Sequence, residues 1–352
     1  MSVAIQVPAD RGGPAQPLLR VTGLLKHFPV RNGLFGRATT SVRAVDGIDF
    51  EIRKGETLGV VGESGCGKST TARLLLHLID PTRGEIVFDG EKVGSPALSL
   101  KAFRRQTQMV FQDSYSSLNP RLTVEASIAF APQVHGLAKR DAVERARDLL
   151  ARVGLDPRRF AERYPHELSG GQRQRVNIAR ALALQPRLVI LDEAVSALDK
   201  SVEAQVLNLL LDLKEEFGLT YLFISHDLNV VRFISDRVMI MYLGRVAEIG
   251  RTADVFERAR HPYSAALLSS MPSLDPDHRT ETAPLAGDPP NPIDPPSGCR
   301  FHPRCAFSEP VCAQTEPPLA VTDGDHRSAC LMMQPGSGHS RAESPPAELV
   351  AA

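Results

Sequence analysis

The 352-residue sequence has no excess of either charge, few cysteines and no long apolar run. Its 41 Lys and Arg residues balance 41 Asp and Glu residues, so it lacks the basic surplus of a dedicated nucleic-acid binder. No apolar stretch approaches the ~18 residues of a membrane-spanning helix. Neither a coiled-coil heptad nor an internal repeat of about 20–50 residues is visible, which excludes solenoids.

The N-terminal segment and the cysteine content both argue against secretion. The opening MSVAIQVPADRGGPAQ has neither a basic segment nor a long apolar segment, so we expect no secretory signal. Without such a signal, five cysteines in a chain of this length do not indicate a disulfide framework. We therefore expect a soluble, cytoplasmic protein.

Short apolar runs alternate along the chain with longer segments of helical periodicity, and this alternation predicts an α/β fold. Apolar residues at helical spacing predict helices over Asp141–Val153 and Val202–Phe217, each ended by a glycine. The segment Gly84–Val93, with Asp89-Gly90 at its centre, predicts an antiparallel hairpin. Short apolar runs typical of buried parallel strands are Leu58–Val61, Met109–Phe111, Leu188–Leu191, Tyr221–Ile224 and Val238–Tyr242.

Composition shifts divide the chain into four segments. We expect a flexible N-terminus over residues 1–17 and an α/β domain over 18–271. A proline-rich stretch then opens an extension over 272–334, which holds four of the five cysteines. Residues 335–352 are rich in Gly, Ser, Pro and Ala, and we expect them to be disordered.

A phosphate-binding loop is the strongest motif. Residues 62–70 match G-x-x-x-x-G-K-[ST] between a predicted strand and a predicted helix. Its glycines let successive N–H groups face one anion, Lys68 would reach the β- and γ-phosphates, and the Ser69 hydroxyl would ligate Mg²⁺. The predicted ATP-binding residues of this loop are Gly62, Glu63, Ser64, Gly65, Cys66, Gly67, Lys68, Ser69 and Thr70.

Together with this loop, two further segments indicate a nucleotide site. The strand Leu188–Leu191 ends in Asp192, which can hold Mg²⁺ through water, and Glu193, which can orient or deprotonate an attacking water. Ser169, in Leu-Ser-Gly-Gly-Gln, is a good N-cap for a helix whose N-terminus would bind an anion. Alone, each segment is equally compatible with a solvated strand end or a capped helix.

The order of the phosphate loop, Gln112, the Leu168–Gln172 segment, the two carboxylates, Asp199 and His226 resembles the nucleotide-binding subunit of an ABC transporter. The resemblance covers residues 18–270. It implies a RecA-like P-loop NTPase core with an antiparallel β-subdomain and an inserted α-helical subdomain at about 113–185.

The same resemblance assigns roles to individual residues. Gln112 would touch both Mg²⁺ and the membrane partner, His226 would contact the γ-phosphate, and Phe28 would stack on adenine. Asp199 would cross a dimer interface. The residues that would contact ATP bound on the opposite subunit are Ser169, Gly170, Gly171 and Gln172. The proposed catalytic set is then Lys68, Gln112, Glu193 and His226. Ala194 departs from the family, which usually has proline there.

Phe111–Pro120, the segment from His261 and the cysteine-containing extension resemble those of dipeptide and oligopeptide importer ATPases. The segment Lys26–Val30, followed by Arg31–Arg43, resembles the second of the two ATPases that such importers usually carry. The resemblance implies a second ATPase subunit, identical or different, two membrane permease subunits and, indirectly, a substrate-binding protein. It implies no nucleic acid and places the chain on the inner face of the cell membrane. Peptides lead as substrate, while glutathione, nickel complexes and other small solutes stay open.

Two other classes compete with this hypothesis. A soluble ABC-type ATPase of DNA repair or the ribosome would carry inserted coiled coils or a second cassette, and the sequence shows neither. A degenerate cassette that binds ATP without turnover would lack the carboxylate and histidine that Glu193 and His226 supply.

Four cysteines fall within 32 residues: Cys299, Cys305, Cys312 and Cys330. Four thiolates fit either tetrahedral Zn²⁺ or an iron–sulfur cluster, and the absence of C-x₂-C pairs weighs against zinc. Related peptide-importer ATPases carry a similar extension that holds a [4Fe–4S] cluster, and this resemblance favours the cluster. The alternative is four free thiols in a tail. We expect a structural cluster that folds residues ~297–332 against the ATPase or its partner, remote from the nucleotide.

Overall fold

The computed structural model describes residues 10–13, 15–31, 38–271 and 287–342. Most of the proline-rich start of the extension and the last ten residues lie outside this part, and so do residues 1–9. Within the described residues no helix is long and apolar enough to cross a bilayer.

The strands of the described part follow in chain order: β1 (Leu19–Arg31), β2 (Ala38–Ile52), β3 (Thr57–Val61), β4 (Arg83–Phe88), β5 (Glu91–Lys92), β6 (Thr107–Val110), β7 (Leu188–Asp192), β8 (Thr220–Ile224), β9 (Arg237–Tyr242), β10 (Arg245–Arg251), β11 (Ala320–Asp323) and β12 (His326–Ser328). All five predicted strands and the predicted hairpin are confirmed. The largest difference is at β6, which ends before Phe111 because that ring is exposed.

The helices of the same residues are α1 (Lys68–Leu75), α2 (Leu100–Gln106), α3 (Val124–Val134), α4 (Lys139–Arg152), α5 (Pro157–Phe160), α6 (Gly170–Leu182), α7 (Lys200–Phe217), α8 (Leu228–Ile234), α9 (Thr252–Glu257), α10 (Pro262–Ser269) and α11 (Pro310–Gln314). The two helices predicted from periodicity are α4 and α7. Helix α7 ends where Gly218 takes a left-handed conformation, as predicted.

The chain divides into two compact units, of which the first comprises the described parts of Met1–Leu19, Glu51–Thr57 and Val87–Ser225. Its strands lie in the order β8-β7-β6 and pair in parallel. Strands β7 and β8 are buried at every position, as expected for strands covered on both faces. Helices α3, α4 and α6 follow β6 and precede β7 in the chain, and they pack on one another. They lie within residues 113–185, where we expect a helical subdomain.

The second unit comprises the described part of Arg20–Phe50, Leu58–Ile86 and the described part of His226–Ala352. Its strands lie in the order β11-β12-β10-β9-β3, and β3 pairs in parallel with β9 while β10 pairs antiparallel with β9 and β12. The C-terminal extension therefore continues the sheet that carries the phosphate loop, because β12 adds directly to β10. In the same unit β1 lies between β2 and β4.

Two segments that we expect to be flexible or disordered make specific contacts where the structure describes them. At the N-terminus, the Arg11 N–H donates to Asp89 over 3.0 Å, and the Arg11 guanidinium pairs with Glu91 over 2.8 Å. At the other end, residues 335–342 form turns in which His339 and Ala342 are buried. Both segments are ordered because their polar groups form hydrogen bonds and ion pairs with residues elsewhere in the chain, which composition alone does not reveal.

Candidate nucleotide site

The phosphate loop connects β3 to α1 in the second unit. Lys68, the first residue of α1, is only 6% exposed, and its ammonium group donates to the carbonyls of Gly62 (2.7 Å) and Glu63 (3.1 Å). The loop thus wraps around the lysine that the sequence assigns to phosphate binding. Ser69 follows it on the first turn of the helix.

Gly67, at the end of the loop, packs closely against the backbone of β2. Gly67 has a φ of +109°, and a Cβ atom there would lie 2.3 Å from the carbonyl oxygen of Ala44. A side chain would therefore be strained in conformation and would also collide with backbone. This residue needs to be glycine for the loop to lie against the β2 backbone.

The Glu63 side chain turns toward the C-terminal extension. Both nitrogens of the Arg304 guanidinium donate to its carboxylate, over 2.9 and 3.1 Å. The Glu63 N–H donates to the hydroxyl of Tyr263 over 2.9 Å. The extension is thus not remote from the predicted nucleotide loop, and this expectation was wrong because a salt bridge between distant segments leaves no local pattern.

The carboxylate pair lies at the carboxyl end of β7 in the first unit. Asp192 is the buried last residue of the strand, and Glu193 leaves it with a φ of +49°, uncommon for a residue with a side chain. The Gln112 amide donates to the Glu193 carboxylate over 2.7 Å. The structure therefore brings together two of the four residues proposed as catalytic, since the parallel strands β6 and β7 end at the same edge.

The chain after Glu193 is held by Ser196. The Ser196 hydroxyl and N–H both donate to the Glu193 carbonyl, over 2.9 and 3.2 Å. Ala194, where the resemblance leads us to expect proline, is buried. Hydrogen bonds from Ser196 thus restrain a turn that lacks the rigid ring.

The Leu168–Gln172 segment forms the N-terminus of α6, as predicted. The Ser169 hydroxyl accepts from the Gln172 N–H over 3.3 Å, and the Gln172 side chain accepts from the Ser169 N–H over 3.0 Å. This capping box leaves Gly170 and Gly171 as the first two residues of the helix. A Cβ atom at Gly171 would lie 2.5 Å from Val202 on α7, so the N-termini of α6 and α7 pack side by side. Asp199 is the exposed N-cap of α7.

Phe28 and His226 both lie in the second unit. The Phe28 ring is 38% exposed on β1, with the Lys26 ammonium 5.2 Å from its centre, so it is not a core residue. His226 is exposed and directly precedes Asp227, the N-cap of α8. Both positions leave these side chains accessible to a ligand.

Sequence reasoning missed the arginines of the extension. Arg300 is buried and donates to the Asp46 carboxylate, which also contacts His27 (2.7 Å) and Arg245 (3.5 Å). Burial alone would raise the pKa of Asp46, but the His27 hydrogen bond and the two arginines outweigh it and lower that pKa. The available signal was the placement of Arg300 and Arg304 between Cys299 and Cys305, in a segment with few other charges.

The four cysteines of the extension line one cavity in the second unit. The Cys299 N–H donates to the Cys312 carbonyl over 2.8 Å, which holds two of them side by side. Burial, with smaller contributions from neighbouring thiols, raises the pKa of Cys299 to about 11 and of Cys330 to about 12. Among the residues described, no three His, Cys, Asp or Glu side chains are arranged to hold a single metal ion.

Comparison with known proteins finds similar sequences over most of the chain. Residues 45–196 match the ABC transporter family, and residues 247–312 match the C-terminal region of oligopeptide/dipeptide transporters. The oligopeptide transport ATP-binding protein AppF of Bacillus subtilis is 49% identical over 90% of this chain and 97% of its own length. The chain belongs to the ABC transporter ATP-binding proteins. Both parts of the resemblance inferred from the sequence, cassette and extension, are thereby confirmed.

Solved structures of the ABC family show the same fold. The cbiO1 protein of Clostridium perfringens, part of an ABC transporter complex, is 29% identical and superimposes with a TM-score of 0.59 over 68% of this chain and 91% of its own. The ATP-binding cassette MJ0796, solved as a dimer with ADP and phosphate, is 30% identical with a TM-score of 0.58 over 66% of this chain and 98% of its own. The RecA-like cassette fold is confirmed, and the chain is an ABC-type ATPase.

Proposed function

We propose that this ABC ATPase is the energy-coupling subunit of a peptide importer. The observation that carries the proposal is the match to an oligopeptide transport ATP-binding protein through cassette and extension together. The pairing of Gln112 with Glu193 supports it, because the residue proposed to sense the membrane partner touches the residue proposed to activate water. A soluble ABC-type ATPase unconnected to transport is the alternative.

In this proposal the phosphate loop and Lys68 bind the β- and γ-phosphates of ATP, and Phe28 stacks on the adenine. The Lys68 ammonium donates to the loop carbonyls of Gly62 and Glu63, which places its charge within the loop proposed to bind phosphate. Thr70 and the loop residues Gly62–Gly67 complete the cradle with their backbone.

Ser69, Gln112 and Asp192 are the proposed magnesium ligands. Hydroxyl, amide and carboxylate oxygens form the hard donor set that Mg²⁺ prefers, and Asp192 is a buried carboxylate at a strand end, so the residues fit the ion. When bound, Mg²⁺ neutralises charge on the phosphates.

Glu193 orients the attacking water and accepts its proton, while Gln112 holds the carboxylate in place through the 2.7 Å hydrogen bond. His226 is proposed to contact the γ-phosphate. Phosphoryl transfer depends mainly on in-line positioning and charge neutralisation, which is what these groups supply.

The exposed N-termini of α6 and α7 are proposed to serve the ATP of a second ATPase subunit. Ser169, Gly170, Gly171 and Gln172 would present backbone N–H groups to its γ-phosphate, and Asp199 would cross the interface. ATP then closes the dimer, and hydrolysis reopens it to drive two permease subunits on the inner face of the membrane. The dimeric, ADP- and phosphate-bound state of MJ0796 supports this reading.

Uptake of a labelled oligopeptide by a strain lacking this chain tests the function. We expect uptake to be lost on deletion and restored by the wild-type chain but not by the Glu193→Gln variant. Normal uptake in the deletion strain, with ATPase activity intact in the purified chain, would favour the alternative of a non-transport ATPase.

We also propose that the four extension cysteines hold a [4Fe–4S] cluster. Four thiols on one cavity are the donor set such a cluster takes, so the residues fit it. The four cysteines lack the C-x₂-C pairs typical of zinc sites, which favours the cluster over a single Zn²⁺ ion. The proposed role is structural, since a short proline-rich segment buries too little surface to fold alone.

Metal analysis after anaerobic purification tests the cluster. We expect about four iron and four sulfide per chain, lost in Cys305→Ser and retained in Cys66→Ser, which removes the one cysteine outside the cavity. One zinc per chain would replace the cluster by a zinc site, and a metal-free protein would refute both.

A further inference from the structure

Arg304 links the C-terminal extension to the phosphate loop through a partly buried ion pair. Its guanidinium grips both carboxylate oxygens of Glu63, over 2.9 and 3.1 Å. The Arg304 side chain is 6% exposed and that of Glu63 is 21% exposed. A two-pronged pair in such a site fixes orientation as well as distance, which a single charge–charge contact does not.

The guanidinium is itself held from several directions. It donates to the Tyr242 hydroxyl (3.3 Å) and to the Gly287 carbonyl (3.0 Å), and it lies 5.9 Å from the ring centres of both Tyr242 and Phe301. Tyr242 and Phe301 touch each other edge to face. Arg304 therefore acts from a rigid setting, so it can hold the loop in place rather than follow it.

Glu63 passes this restraint on to the phosphate-binding lysine. Its carbonyl accepts from the Lys68 ammonium over 3.1 Å, and its N–H donates to Tyr263, which is fully buried. One residue is thus bound by Arg304 at its side chain, by Tyr263 at its nitrogen and by Lys68 at its oxygen. A change at Arg304 reaches Lys68 through a single intervening residue.

We propose that Arg304 is a positioning residue for the phosphate loop, through which the cysteine-containing extension sets the affinity of this ATPase for nucleotide. The inference rests on the proposed assignment of the loop to ATP. Arg304 lies next to Cys305, so whatever fixes the cysteine segment also fixes this arginine. A purely structural ion pair would stabilise the fold without affecting how tightly the folded protein binds ATP.

Titration of the full chain with MgATP, alongside its thermal unfolding, separates these two roles. We expect Arg304→Gln to raise the Kd of MgATP about tenfold in protein that is folded at the assay temperature, because small displacements of a binding group are costly. Glu63→Gln should have a similar effect, and the double variant should be no weaker than either single one, since both remove the same contact. Arg327→Gln, an exposed arginine of the same extension, is the matched control.

Each outcome of these measurements either supports or refutes the positioning role of Arg304. If Arg304→Gln lowers the melting temperature but leaves the Kd unchanged, the positioning role is refuted. Should that variant fail to fold, Arg304→Lys keeps the charge without the two parallel hydrogen bonds to Glu63. An unaltered Kd of MgATP in the Arg304→Lys variant would equally refute the positioning role. Loss of affinity in Lys68→Ala but not in Arg304→Gln would overturn only this inference, whereas full affinity in Lys68→Ala would overturn the phosphate site and the inference together.

Discussion

The Gln112 amide donates a 2.7 Å hydrogen bond to the Glu193 carboxylate, although 81 positions separate the two residues in the chain. Gln112 follows β6 and Glu193 follows β7, two parallel neighbours in the first unit. The contact gives one carboxylate of the pair a fixed orientation. It also connects the segment proposed to touch a permease directly to the proposed general base.

Glu193→Gln should abolish most turnover while leaving ATP binding intact. The amide keeps the size of the side chain but cannot accept a proton from water, so we expect kcat to fall by roughly 10²–10⁴-fold. Steady-state phosphate release and nucleotide titration measure the two effects. Glu215→Gln, an exposed position on α7, is the control. A turnover rate near that of the wild type would refute the assignment.

Lys68→Ala should weaken nucleotide binding itself. The substitution removes a charged donor that we propose to bind phosphate in the ground state, and we expect the Kd of MgATP to rise by about 10- to 100-fold. Fluorescent-nucleotide titration measures it, with the exposed Lys101→Ala as control. Unchanged affinity would show that residues 62–70 are not the phosphate site.

Gly171→Ala should destabilise the packing of α6 on α7. The added methyl group would lie 2.5 Å from a Val202 methyl carbon, and such overpacking costs about 1–3 kcal/mol. The expected result is a lower melting temperature, restored when Val202→Ala is combined with it because the second change makes room. If the double variant is no more stable than Gly171→Ala alone, the contact with Val202 is not the cause.

Asp46 should contribute to stability only above acidic pH. Its folded-state pKa lies below the ordinary value of 3.8, so its contribution is present above about pH 4 and is lost as the pH falls through the lowered pKa. Asp46→Asn leaves the buried Arg300 unpaired and should cost about 3–5 kcal/mol at neutral pH.

That deficit should shrink at about pH 3, because the carboxyl of the unfolded wild type takes up a proton below its ordinary pKa of 3.8 more readily than the folded one does. Urea unfolding at both pH values measures the difference, with the exposed Asp212→Asn as control. A deficit that is the same at both pH values would contradict the role of the Asp46 charge.

Removal of the proposed cluster from the extension should weaken nucleotide binding through Arg304. If the cysteines hold a cluster that fixes their segment, chelation or oxidation should raise the Kd of MgATP in the wild type. The same treatment should have no further effect on Arg304→Gln, because the link to Glu63 is already broken. An equal rise in both proteins would mean that metal acts by another route.

Local sequence determined the strands, the main helices and the phosphate loop. The apolar run Leu58–Val61 predicts β3 to within one residue, and the glycine after Phe217 marks the end of α7. Ser169 was identified as an N-cap, and the structure shows it capping α6. These features are readable because hydrophobic periodicity, caps and turns act over a few neighbouring residues.

Only the tertiary structure decided how the extension meets the phosphate loop. Arg304 and Glu63 are 241 positions apart, and Arg300 and Asp46 are 254 apart. A single arginine has no periodicity, and its partner depends on the addition of β12 to β10 beside the aromatic side chains Tyr242 and Phe301. The sequence predicts an extension that packs against the ATPase or its partner, remote from the nucleotide; the fold joins it to the phosphate loop because the Arg304 guanidinium and the Glu63 carboxylate pair there.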